Sequence, residues 1–215
     1  MKKLICIVVS VIFLIALSGC SSFDPVQYVD AYLHHVVTGE VTDELMESTG
    51  ETKEELDKEY QEVYEKLIDG FFDEVNLDAY TEDVGGETVK EFVDAYLSSI
   101  KYEVSDEYTE QDDIYYVNVK VWPIKCTESM DSYASGDFMD EWKNKVMSGE
   151  YKYTTESQLQ IDVLNDLFNK LAEKIKNAEY GDPETVEMRV EFDGDYYTIN
   201  DDDLETLFSK TITNF

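Results

Sequence analysis

Ile114-Tyr115-Tyr116-Val117-Asn118-Val119-Lys120-Val121-Trp122 is the stretch whose pattern decides the fold. Tyr115, Val117, Val119 and Val121 alternate with Tyr116, Asn118, Lys120 and Trp122, the period of two that a strand with one buried face produces. The alternation predicts a strand from Ile114 to Ile124. Tyr102 to Tyr108 reads as its neighbour. Near the C-terminus Val186, Met188, Val190 and Phe192 alternate with Glu187, Arg189 and Glu191. Asp193-Gly194 and then Tyr196 to Ile199 follow, which is a hairpin signature.

Around these strands the period changes to that of helices. Asp24-Pro25 is a helix start, Asp at the N-cap and Pro at the first helical position, and 24–38 places Val26, Val29, Leu33, Val36 and Val37 on one stripe. Thr52-Lys53-Glu54-Glu55 is a capping box opening a long amphipathic run from Leu56 to Val75. Gly85-Gly86 is expected to break the chain, with a third helix from Thr88 through Val89, Phe92, Val93, Tyr96 and Leu97. Further helices are expected near 135–148 and 155–178, and a short last one is capped by Asn200 or Asp201. No alternation of strand and helix and no Gly-rich phosphate turn is present. The class is α+β, with several amphipathic helices packed on a small antiparallel sheet built from two hairpins.

One echo runs through the helices. Tyr28-Val29-Asp30-Ala31-Tyr32-Leu33 matches Phe92-Val93-Asp94-Ala95-Tyr96-Leu97. The segments that follow diverge, so the echo reads as two helices solving one packing problem rather than as two related lobes.

The chain has 215 residues, 49 acidic and 17 basic, for a formal charge of −32. Hydrophobic residues make up 43%, with 16 Tyr and 10 Phe, enough for a core, so charge-driven disorder is excluded over most of the length. So acidic a chain does not bind nucleic acid unaided, because such binding runs on Lys and Arg neutralising phosphates.

The first residues read as an address. Met1-Lys2-Lys3 is a basic start, and Leu4 to Leu17 is an apolar run interrupted only by Ser10, too short for a comfortable membrane span. Leu17-Ser18-Gly19-Cys20 resembles a bacterial lipobox, which implies cleavage between Gly19 and Cys20 and lipidation of the Cys20 sulfur. The expected organisation is a signal peptide at 1–19, a lipidated N-terminus and short linker at 20–23, and a single domain at 24–215. Loss of the leader's two lysines takes the formal charge from −32 to −34. The expected location is the outer face of the cell membrane, with membrane lipid as the partner of the N-terminus. Cys126 is then the one cysteine left in the domain, so no internal disulfide is expected.

With these features stands a broader resemblance. The lipobox, the Asp24-Pro25-Val26-Gln27-Tyr28-Val29 helix start and the Thr38-Gly39-Glu40 exit are similar to those of small Gram-positive lipoproteins that carry domains of unknown function. The Thr49-Gly50-Glu51 step into the capping box and the closing Tyr180-Gly181-Asp182-Pro183-Glu184 segment add to it. Some such domains have an NTF2-like or cystatin-like arrangement, a helix layer over a curved antiparallel sheet. The resemblance implies no activity.

Chemistry-bearing motifs are sparse. No nucleophile elbow or His-Glu-x-x-His helix occurs. His34 and His35 point about 100° apart on a helix and cannot share a metal, so one or two solvent-edge histidines are expected. Cys126 is expected to be a small buried hydrophobe. Asp193, Asp195, Asp201 and Asp203 gather hard oxygen ligands, yet they miss the EF-hand spacing, so weak divalent-cation association is the most they suggest. Tyr116, Trp122, Trp142 and Tyr197 are the candidate ligand-binding aromatics, on the expectation that they line a concavity over the sheet. The expected function is a non-enzymatic binding or interaction module for a basic protein partner or a small ligand, with no cofactor. The alternative is a cell-envelope enzyme or enzyme subunit working through carboxylates.

Overall fold

The computed structural model describes residues 23–75, 81–125, 135–192 and 197–213. Gly19 and Cys20, the cysteine Cys126, and Asp193 and Asp195 lie outside the described residues. Helix α1 (Pro25–Thr38) begins as its sequence dictates: Asp24 Oδ1 accepts from the Val26 and Gln27 N–H groups at 3.0 and 3.2 Å. It ends at Gly39, whose φ of 71° is left-handed and where a Cβ would come within 2.7 Å of the Tyr60 ring. Helix α2 (Asp43–Thr49), capped by Thr42, is too short for its period to announce it. Helix α3 (Lys53–Val75) opens on the expected capping box, the Thr52 N–H donating to Glu55 Oε2 at 2.9 Å and the Glu55 N–H donating back to Thr52 Oγ1 at 3.4 Å.

Helix α4 (Glu82–Ser98) corrects an expectation. Gly85 and Gly86 do not break the chain; both are buried within the helix, which starts after Thr81. Each glycine costs a helix up to ~1 kcal/mol, and packing of the fully buried Val89, Phe92 and Val93 outweighs that cost.

The chain continues through β1 (Lys101–Gln111), β2 (Ile114–Trp122), β3 (Ile124–Lys125), α5 (Asp137–Met147) and α6 (Glu156–Lys176). It closes with β4 (Glu179–Tyr180), β5 (Glu184–Phe192), β6 (Tyr197–Ile199), α7 (Asp201–Ser209) and β7 (Ile212–Thr213). The main sheet has the order β1-β2-β5-β6 and is antiparallel throughout, the two expected hairpins joined along β2 and β5. Asp112 and Asp113, at φ 55° and 63°, turn the first hairpin with the two left-handed residues of a type I′ connection. The strand expected to run to Ile124 stops at Trp122. Pro123 has no N–H to donate, and its carbonyl accepts from Gly181 N–H at 2.7 Å instead. Ile124 and Lys125 pass to a second sheet of order β4-β3-β7, in which β3 and β7 run parallel. Its two-residue strands are too short to show a period.

Two cores result. The first lies between α1, α2 and α7 and the inner sheet face, with Val117, Val119, Val121, Met188 and Val190 beneath Tyr28, Val29 and Leu33. The second joins α3, α4 and α6 through Leu67, Ile68, Phe92, Val93, Phe168 and Leu171. The echoed segments sit at corresponding places, each at the centre of one core. Tyr28, Val29 and Leu33 are buried in α1 as Phe92, Val93 and Leu97 are in α4, and Asp30 and Asp94 both face outward. No described helix is long and apolar enough to cross a membrane.

Candidate functional site

The outer face of the main sheet is the polar side of the same alternation. Asn118, Lys120, Thr185 and Glu187 are all exposed on it. Along β1 the register slips: Val104 pairs with Val119 but Tyr108 with Val117, so Ser105, Asp106 and Glu107 bulge opposite Asn118 alone. The bulge lifts the edge away from the sheet and leaves an open cleft of about 630 Å³ between Glu103–Glu107 and Asn118, Lys120 and Thr185. Inside it the Glu107 N–H donates to Ser105 Oγ at 3.2 Å, shaping the bulge. The single cation on the lining, Lys120, donates to Glu103 Oε1 at 3.0 Å. Asp106 and Glu107 therefore set the sign of the cleft, which is negative.

One strand pair further along, the chain's only arginine is occupied too. Arg189 Nε and Nη2 donate to the two carboxylate oxygens of Asp203 at 2.8 and 2.9 Å, and Nη2 also reaches Asn200 Oδ1 at 2.8 Å. Asp203 Oδ2 accepts from the Arg189 backbone N–H as well, at 2.9 Å. This fork ties α7 to β5 and raises the Arg189 pKa still further, chiefly through the Asp203 hydrogen bonds. Asp203 is thereby corrected as a cation ligand: its oxygens face a guanidinium. Asp201 lies in the same first turn of α7, its carboxyl pushed up by burial and then by Asp202. Among the described residues no group of three His, Cys, Asp or Glu side chains is arranged to hold a metal ion.

The four candidate aromatics are not brought together. Tyr116 lies on the outer face opposite Arg189. Trp122 is on the same face at the far end of β2, its ring covered by Lys101 Nζ at 4.6 Å. Trp142 is buried on α5, its Nε1 donating to Asp166 Oδ2 at 2.8 Å and its ring edge-on to Tyr151. Tyr197 is on the inner face, stacked at 3.7 Å on Phe23.

His34 is near the surface and reaches Glu40 Oε2 at 3.2 Å. His34 is thus the one solvent-edge histidine; His35 is 1% exposed, its Nδ1 lies 3.3 Å from the Glu40 carbonyl, and burial lowers its pKa. The side chains at this helix exit turn to different Glu40 oxygens, not to one shared ligand.

A pair of carboxyl groups went unread in the sequence. Glu51, just before the capping box, meets Glu59, one turn into α3 beyond Glu55. The Oε2 atoms of both are shielded from solvent and have no hydrogen-bond donor among the described residues. Burial first, then the charges of Glu59 and Glu55, push Glu51 up to about 7, and burial raises Glu59 as well. The nearby Glu59 thus adds to burial in favouring the protonated form of Glu51. The spacing 51, 55, 59 was visible as one helical face, but forty-nine acids make any such triple unremarkable.

Searches with this chain against protein-family models, curated proteins and solved structures returned no match.

Proposed function

We propose that the chain is a lipid-anchored extracytoplasmic lipoprotein that binds a cationic ligand, a basic peptide segment or a polyamine, on the outer face of its main sheet without chemical conversion. The observation that carries the ligand class is the bulge cleft. It is open, large enough for a lysine-sized group, and lined by three carboxylates whose one lysine neighbour is already paired. The lipobox ending at Cys20, four residues ahead of the Asp24 helix cap, supports the anchor and sets the domain directly over the membrane.

Two measurements test this reading. Cys20→Ala is expected to move the protein from the membrane fraction to the medium, and retention in the membrane would refute the anchor. Titration with a short oligolysine at matched ionic strength is expected to saturate. Asp106→Asn with Glu107→Gln is expected to weaken it about tenfold or more, as loss of two desolvated charge contacts would. Two neutralised acids on α6, Glu156 and Glu173, serve as the control. Equal weakening by both double variants would mean that charge alone attracts the peptide, and the cleft would lose its role.

A further inference from the structure

Of the four candidate aromatics only Tyr197 takes part in a larger group of rings, and its partners there are Phe23, Tyr115, Tyr108 and Phe192. Phe192, Tyr197, Phe23, Tyr115 and Tyr108 form a continuous run of rings at the hairpin-turn end of the inner sheet face. Their centroids are 4.8 Å apart for Phe192–Tyr197, 3.7 Å for Tyr197–Phe23, 5.7 Å for Phe23–Tyr115 and 5.5 Å for Tyr115–Tyr108. Register puts all four strand residues on the core-facing side: Tyr108 pairs with Val117, Tyr115 with Val190, and Phe192 with Tyr197. Phe23, Tyr115 and Tyr197 pack against the first core at partial burial, and the run leaves that core at its two ends. Helix α1 starts beside Phe23, and at the two ends of the run Tyr108 and Phe192 are each 46% exposed. The two half-exposed rings are thus joined through partly buried ones into one continuous aromatic edge beside the start of α1.

The geometry points to this sheet end as a bilayer-contact surface, laying its rings into the headgroup layer of an uncharged membrane. The inference rests on the acylated Cys20 proposed above. Phe23 lies three positions after Cys20, and at ~3.3–3.6 Å per residue the chain between them spans at most about 11 Å. A headgroup layer is itself roughly 5–8 Å thick on each side of the hydrocarbon. Phe23 is not free to trail behind the anchor, because it is stacked on Tyr197 and packed against Tyr28. Whatever holds Cys20 at the membrane therefore holds the whole ring patch there. Tyr and Phe suit that layer, offering an apolar body with, in Tyr, a polar tip. Glu110, Asp112, Asp113 and Glu191 border the patch, and their charge selects an uncharged headgroup over an anionic one.

The test uses the full-length acylated protein in phosphatidylcholine vesicles, with and without lipid brominated near the headgroup as a contact quencher. The parent holds two tryptophans, and Trp122 closes β2 at the opposite end of the sheet, ~26 Å from the turn at ~3.3 Å per residue. Phe192→Trp places a reporter in the patch. Brominated lipid is expected to quench that added emission about twofold or more relative to the parent's tryptophans. Tyr108→Trp reports from the other edge and stands in if the first variant fails to fold. Replacing part of the phosphatidylcholine with phosphatidylglycerol is expected to reduce the quenching. Variants that float with the vesicles yet show no more quenching than the parent overturn the contact surface, including a case where a second copy of the chain covers the patch. A parent that fails to float overturns the acylation reading itself, so the two failures are distinguishable.

Discussion

The two faces of the four-stranded sheet are made by the same strands and do opposite work. On the inner face Val117, Val119, Met188 and Val190 are fully buried beneath α1 and α7. On the outer face Asn118, Lys120 and Glu187, their immediate neighbours in sequence, are exposed. Burial of apolar area at ~25 cal/mol per Å² makes the inner face the source of stability. Apart from the Arg189–Asp203 fork, the outer face contributes little to folding, which leaves its other side chains free for recognition. Cations make the division sharper. Of the two basic side chains at the middle of that face, Arg189 is taken by Asp203 and Lys120 by Glu103, so the bulge acids are the carboxylates the proposed ligand would meet.

If this division is correct, Met188→Ala has the largest effect on stability, a loss of about 3 kcal/mol in urea denaturation from the cavity it opens. Glu187→Ala, one position along on the other face, is expected to stay within about 0.5 kcal/mol. A comparable loss from both would erase the contrast. Arg189→Met comes next, because it leaves Asp203 without its fork. The pair is partly open to solvent, at 36% and 15% side-chain exposure, so the expected cost is about 2 kcal/mol, below that of a fully buried pair. Arg189→Lys is not expected to restore it, since an ammonium cannot meet two carboxylate oxygens as a fork does. Recovery by lysine would show that charge alone was needed.

A smaller effect depends on pH. The Glu51 carboxyl is raised in the folded state from 4.5 to about 7, so the folded chain keeps a proton that the unfolded chain releases. That contribution is complete below pH 4.5 and is lost as pH rises to about 7. His35 acts in the opposite sense: its lowered pKa contributes stability above pH 6.5 that is lost on acidification. Thermal melts across this range are expected to show Glu51→Gln removing a decline of about 1 kcal/mol, a figure reduced for the group's partial exposure. An unchanged pH slope in the variant would mean that Glu51 is not raised in the folded chain. Smallest of all, Asp106→Asn and Glu107→Gln are expected to leave the melting temperature within about one degree while weakening ligand binding.

Alternation made the main sheet readable, because β2 and β5 are long enough to show it and have one buried face. Caps made the helix starts readable at Asp24, Thr52 and Asn200, where one side chain decides the terminus. What stayed hidden depended on contacts between distant segments. Nothing in Ser105-Asp106-Glu107 marks where an edge strand slips its register, so the cleft could not be placed. Gly85-Gly86 suggested a break because propensity is local, whereas the packing that overrides it is not. The tyrosines of β2 alternate between faces, and only the register shows that Tyr115 packs beside Phe23 and Tyr197 while Tyr116 lies opposite Arg189. Phe23 gave no signal at all: its role comes from stacking on Tyr197, at the other end of the chain.

The most direct test is a backbone-amide chemical-shift map of a chain beginning at Ser21, titrated with oligolysine at fixed ionic strength. Saturating shifts confined to Glu103–Glu107, Asn118, Lys120 and Thr185 are the expected result, with the amides of α3 and α6 unmoved. Shifts spread in proportion to surface acidity, over those helices as much as over the bulge, would contradict the assignment of recognition to the outer face of the sheet.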